Sequence, residues 1–358
     1  MMTINHAILH VFDFVSAVDA IASEELDFTD KAAKSAKSFV EKTVRHAATS
    51  IDNKHGVFFE DSPFADELQA YARGERPFVE FSQQIADFMG SELGRADKQV
   101  STDLLVVDYQ DDPDDAPQDG EDLTEAQAAA LYQARSRRCF GILLLESKQS
   151  FMHEVGRGAG ARNDIVRRYA VLPNPSQKLS SYAIVDLASG KILLQDKERS
   201  IAGEKRALLA DGLLQCSVNA SEKEKFAEVE DVVEAVAEEF GANSAVAAAK
   251  AKAYAVENAD ANDDFDLREL GRAAFDDDPH LQDRFGEAAA ERDLPERVSI
   301  DRGTVKRVAK SHKIRTDTGI EITFPAEYSR NPDFIEFVNE PNGLISIELK
   351  NIGSIENR

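Results

Sequence analysis

The sequence predicts an α+β protein: an N-terminal domain on a mixed or antiparallel sheet with flanking helices, then a helical segment and a small C-terminal α+β meander. Three observations carry this. Apolar runs bounded by turn residues dominate residues 1–218, long amphipathic patterns replace them over 221–292, and short strand patterns return over 297–350. The domain boundaries are accordingly 1–218 and 219–358, as the length of 358 residues exceeds what one hydrophobic core usually organises.

The first strand spans Ile4 to Phe14, rich in β-branched and aromatic residues. His6 and His10 lie within it, and on a strand a spacing of four holds two imidazoles roughly 13 Å apart, too far to share a metal. From Phe28 to Ile51 an amphipathic helix is expected, with Phe39, Val40, Val44 and Ala47 inward. Lys31, Lys34, Lys42 and Arg45 form its basic outer stripe, which also reads as an ordinary solvated face balanced by Asp30, Glu41 and Asp52. Ser62-Pro63 starts a helix through about Tyr71, and Pro77 opens another whose Phe78, Phe81, Ile85 and Met89 keep core spacing.

Thr102 to Tyr109 reads as a strand, and Asp108 to Asp122 as a mobile acidic loop, with eight Asp or Glu in fifteen positions. The loop fails the calcium-loop pattern because Pro117 occupies a ligand position. A short helix near Thr124 to Arg135 precedes Cys139 to Glu146, a continuous apolar run typical of a buried central strand. Gly156 to Gly160 reads as a flexible hairpin turn, since neither a Walker lysine nor dinucleotide-fold spacing accompanies it. Ile165 to Val171 is a strand carrying Arg167 and Arg168, which should point to opposite faces. With Lys178 in the proline-rich segment that follows, at most one of them joins a second basic surface. Tyr182 to Leu187 and Lys191 to Leu194 make a hairpin about Ser189-Gly190.

Ser221 and Glu224 form a capping box for a long helix with Phe226, Val229, Val233, Val236 and Phe240 inward and mostly acidic residues outward. An Ala-rich helix follows from Ser244, then shorter helices at Asp264 to Phe275 and Pro279 to Glu291. The meander holds a strand at Arg297 to Ile300, a helix from Asp301 to Lys310 capped by Asp301, and strands at Lys313 to Arg315, Ile320 to Phe324, Phe334 to Val338 and Leu344 to Leu349. Pro341-Asn342-Gly343 supplies the turn between the final pair.

With 66 Asp or Glu against 42 Lys or Arg, the formal charge of -24 repels nucleic acid and anionic membrane on average. Any DNA contact must be local. One island answers that description: Arg302, Lys306, Arg307, Lys310, Lys313 and Arg315 lie within fourteen residues holding no Asp or Glu. At helical spacing the first four share one side. Such a patch can meet phosphates without reading sequence, and it can equally serve as counter-charge to the acidic helices. Lys31, Lys34, Arg45, Arg168 and Lys178 are secondary candidates. The absence of tryptophan and of aromatic interleaving favours duplex over single strands.

Cys139 and Cys216 stand apart and read as reduced core residues, and no HExxH, GxSxG, Walker A or spaced-carboxylate motif is present, so no metal, cofactor or catalytic site is expected. No apolar run approaches the ~18 residues a membrane span needs, and the start of the chain lacks a signal peptide's basic and apolar regions, so a cytoplasmic protein without membrane contact is expected.

Four segments, in order, resemble a bacterial nucleoid-associated protein family (the NdpA-like group): INHAILHVFDF, GVFFEDSPFADELQAYARGERPFVEFSQQIADFM, VLPNPSQKLSSYAIVDL and SIDRGTVKRVAKSHKIRTDTGIEITFPAEY. The resemblance implies a non-enzymatic protein of the nucleoid that binds double-stranded DNA with little sequence choice. The family offers no tight DNA-contact motif to carry over, and the acidic insertion at Asp108 to Asp122 departs from its pattern. The rival reading is an acidic adaptor or DNA mimic that docks onto basic DNA-processing proteins through the Glu222 to Glu239 face. A homodimer would double a weak basic patch.

Overall fold

The computed structural model describes residues 2–14, 23–30, 33–112, 136–155, 163–259, 264–276, 278–339 and 344–356. Lys31, the expected helix at 124–135, most of the acidic segment, the glycine-rich turn at 156–160 and the turn at 341–343 fall outside them. The chain divides into two compact units, Met1–Asn219 and Ala220–Arg358.

The first unit runs β1 (Met2–Phe12), α1 (Lys34–Ala48), β2 (Lys54–Val57), α2 (Pro63–Ala72), α3 (Phe78–Gly94), β3 (Thr102–Asp111), β4 (Arg137–Glu146), β5 (Lys148–Val155), β6 (Asn163–Val171), β7 (Ser181–Asp186), β8 (Lys191–Asp196), β9 (Arg199–Ile201), β10 (Glu204–Arg206) and a π-helical turn, Leu208–Leu214. An antiparallel six-stranded sheet has the order β1-β3-β4-β7-β8-β2. Its central strands are apolar on both sides because both faces are covered. Leu104, Val106, Phe140, Ile142 and Val185 meet α2 and α3 through Leu68, Tyr71, Phe81, Ile85 and Met89. Leu105, Val107, Leu143, Tyr182 and Ile184 meet α1 through Val40, Val44 and Ala47. The two-residue strand period therefore feeds two separate cores from one sheet. The β7–β8 hairpin turns at Gly190, whose φ of 70° is open to glycine without strain. Ser62 caps α2 by accepting from the Ala65 N–H, with Pro63 at the first helical position.

The helix expected from Phe28 begins only at Lys34. The acidic run does not begin as a loop either. Asp108 to Asp111 continue β3, and Asp108 is wholly buried, because its carboxylate accepts from Arg138 (2.6 Å), Asn5 (2.8 Å) and the Tyr71 hydroxyl. Burial alone would raise its pKa, but those three hydrogen bonds outweigh it and hold the carboxyl below its ordinary range. Strand β2 ends at Val57, leaving Phe59 exposed, and β9, β10 and the π-helical turn correspond to no sequence expectation.

The second unit holds α4 (Glu222–Glu239), α5 (Ser244–Ala259), β11 (Asp264–Asp266), α6 (Leu267–Ala274), α7 (Pro279–Glu291), β12 (Arg297–Ser299), α8 (Arg302–Val308), β13 (Ser311–Arg315), β14 (Glu321–Pro325), β15 (Ile335–Asn339) and β16 (Ile345–Leu349). Ser221 and Glu224 complete the capping box of α4. Phe226, Val229, Val233 and Val236 enter the core, whereas Phe240 is the C-cap residue and is exposed, since the stripe ends with the helix. The first residues of the helix expected at Asp264 are instead strand, because Phe265 buries itself opposite Val298 on β12 and Asp266 then caps α6. The two terminal hairpins pack through Ile314, Phe324 and Ile335 against Ala249 of α5.

Candidate nucleic-acid interface

The basic island begins where Asp301 caps α8, accepting from the N–H groups of Gly303 (2.8 Å) and Thr304 (3.2 Å). One side of the short helix is fixed by packing: Thr304 and Val305 are buried, as is Ala309 just beyond, and Val305 and Ala309 join the main core of this unit. With that side inward, Arg302 and Arg307 are exposed and Lys306 is half-buried. The helix ends at Val308, two residues short of the expected Lys310, whose exposed side chain springs from a bend where its carbonyl accepts from the Ala326 N–H.

Strand β13 continues the surface by period two. Ser311, Lys313 and Arg315 face outward while His312 and Ile314 face the core. The island thus places six cations on one helix-and-strand element. Lys313 is ion-paired to Glu321 of the neighbouring strand at 2.7 Å, and Glu321 stands opposite Arg315 in the register. His312 adds no charge here. It is buried edge-on against Phe324, and burial, followed by the nearby Lys252 ammonium, pushes its pKa from 6.5 to about 4.

The anionic helix α4 has counter-charges of its own: Glu230 pairs with Lys252 of α5 at 2.7 Å, and Glu239 with Arg284 of α7 at 3.1 Å.

In the first unit the secondary candidates separate. Lys34 opens α1 and Arg45 lies in its last turn, eleven residues on and therefore close to the same side. Arg45 lines an open cleft of about 570 Å³ with Lys42, His46, Thr49 and the loop at Asn174, Pro175 and Ser176. Lys42 belongs to the basic stripe read from the sequence, whereas His46 was not singled out there and is brought to the cleft by the tertiary placement of the loop. Lys178 is held by Asp52 at 2.6 Å. Arg168 lies apart from the main sheet, on the two-stranded β5–β6 ribbon, with its Nε 3.2 Å from the Met152 sulfur. Arg167 sits over the Phe151 ring at 5.8 Å and donates to Gln149. Both arginines are exposed.

Among the described residues, no three His, Cys, Asp or Glu side chains gather to hold a metal ion. No helix among them is long and apolar enough to cross a membrane. The two cysteines are buried and free, and burial raises both thiols to about 11, so they are inert as nucleophiles at neutral pH.

A search of curated proteins finds no match. The sequence model of one family, described as nucleoid-associated protein YejK, matches residues 8–356. The match takes in both units, including the end of β1 from residue 8, the α2–α3 pair, the proline-rich loop and the α8–β13 island whose segments carry the resemblance read from the sequence. The chain belongs to the nucleoid-associated protein YejK family.

Proposed function

We propose that this protein binds the backbone of duplex DNA directly, weakly and with little sequence choice, through the α8–β13 surface, and that it works in the nucleoid without catalysing a reaction. The observation that carries this reading is the set Arg302, Lys306, Arg307, Lys310, Lys313 and Arg315 on one capped element whose inward residues are fixed by the core. Family membership supplies the nucleoid context. Cations in such a row meet phosphate oxygens electrostatically and read no base edges, which accounts for affinity without specificity. Lys34 and Arg45 on α1 are the subsidiary contacts of the first unit.

The test compares duplex binding by the wild type and by a Lys306→Glu, Arg307→Glu, Lys310→Glu variant across a salt series. Loss of three phosphate contacts should reduce the log-log salt slope by about 2.7. Equal affinity and equal slope in the two proteins would eliminate this surface as the contact.

A further inference from the structure

We propose that the β5–β6 ribbon is an arm that enters a groove of duplex DNA, with its arginines on the phosphates and its apolar side chains against the groove wall. This rests on the DNA-binding reading above and assigns a second, structurally different contact. Strand β5 follows β4 after a single residue, Ser147, yet it pairs with β6 alone and forms a separate two-stranded sheet. A ribbon of this kind usually needs a covering layer to be stable, and the exposure here shows none among the described residues. Phe151 is 68% exposed, Ile165 75% and Met152 49%.

The register arranges these residues chemically. Phe151 stands opposite Arg167 and His153 opposite Ile165, so one side combines two apolar groups with a cation. Ser150 opposite Arg168 and Met152 opposite Val166 give the other side the same mixture. Among the described residues of the ribbon Lys148, Arg167 and Arg168 outnumber Glu154 and Asp164, and those two acids stand opposite each other at the far end, which leaves the half next to β4 wholly cationic inside a protein of charge -24. That local excess identifies the occupant. A second copy of the ribbon would set like charges against each other, whereas a duplex offers phosphates flanking an apolar sugar wall. The eight residues of β5 span roughly 26 Å, and a two-stranded ribbon fits the major groove, which is about 12 Å wide.

Two full-length variants separate the two kinds of contact. Arg167→Gln with Arg168→Gln should weaken binding to a short duplex about 60-fold at about 0.1 M salt and flatten the salt slope by about 1.8, the effect of two phosphate contacts. The Lys pair at the same positions should keep the wild-type slope. Phe151→Ser with Ile165→Ser should weaken binding while leaving the slope unchanged, because no ion is released by an apolar contact. All these side chains are exposed, so circular dichroism and the unfolding midpoint should match the wild type and separate a contact from a folding defect. Wild-type binding that both variants retain would overturn the arm while leaving the α8–β13 reading intact. Dimers that dissociate in the Phe151→Ser, Ile165→Ser variant with DNA affinity unchanged would overturn it in favour of an interface between copies. No duplex binding by the wild type even at low salt would overturn both readings.

Discussion

Acid should destabilise the second unit through His312. The side chain is 4% exposed, and among the described residues neither ring nitrogen makes a well-formed hydrogen bond, the Ala245 backbone offering only a weak one. Burial first, and then the charge of Lys252, lower its pKa from 6.5 to about 4, against a smaller opposing contribution from the Ala245 backbone. A histidine with a folded pKa below its unfolded value binds its proton more readily when the chain unfolds. Its contribution is therefore fully present above about pH 6.5 and is lost as the pH falls toward about 4. Each unit of pKa corresponds to about 1.4 kcal/mol, so the loss across that window approaches about 3 kcal/mol. Carboxylates titrate over the same range, and the effect is isolated by subtracting the urea stability of a His312→Leu variant at each pH. The leucine keeps an apolar side chain against Phe324 and removes both unpaired nitrogens, so at neutral pH it should be neutral or mildly stabilising. Near pH 4.5 the wild type should fall behind the variant by a further ~2–3 kcal/mol. A difference constant from neutral to acid pH, or a magnetic-resonance titration of this imidazole centred near its ordinary value, would refute the reasoning.

Two further stability effects follow from buried polar groups. Arg138→Ala leaves the fully buried Asp108 carboxylate with only Tyr71 and Asn5, which should cost about 3 kcal/mol, the low end for a broken buried pair because the arginine itself is partly solvated. Urea unfolding would measure it, and a loss below about 1 kcal/mol would show that water replaces the guanidinium. Ser221→Ala removes one half of the α4 capping box, in which Ser221 Oγ accepts from the Glu224 N–H at 3.1 Å and the Glu224 carboxylate accepts from the Ser221 N–H at 2.8 Å. About 1 kcal/mol should be lost, read as a lower thermal midpoint, and an unchanged midpoint would contradict it.

The elements legible in the sequence are those whose signal is local. The apolar run of β4, the Ser189-Gly190 turn and the caps at Ser62, Ser221 and Asp301 each contain their own explanation within a few residues. What escaped depends on partners far along the chain. Asp108 counts as one more acid until β3 pairs with β4 and brings Arg138 within reach, thirty residues away. His312 looks like part of the cationic run, but the register of β13 turns it under Phe324 while its neighbours Ser311 and Lys313 face out. The described side chains of β5 are all exposed, so no alternation of buried and exposed residues marks it. The cationic side of α8 was readable because Val305, Val308 and Ala309 mark the opposite side at helical spacing, and Val305 and Ala309 are buried with Val308 packed beside them.

A charge of -24 overstates the repulsion that DNA would meet at the α8–β13 surface. At physiological ionic strength screening acts over about 8 Å, so acids farther away than that contribute little, while contacts at hydrogen-bond distance survive. Some acids of this unit are already matched inside it, as Glu230 is by Lys252 and Glu239 by Arg284. The cations are not equivalent, however. Lys313 holds Glu321 at 2.7 Å and must exchange that carboxylate for a phosphate. Exposed pairs of this kind contribute only about 0–1 kcal/mol, so the exchange is a small barrier, but it releases no net counterion and subtracts from the salt dependence. Six cations on the surface therefore imply a slope shallower than six phosphates would give, and the deficit is set by the carboxylates that the folded chain has already placed beside them.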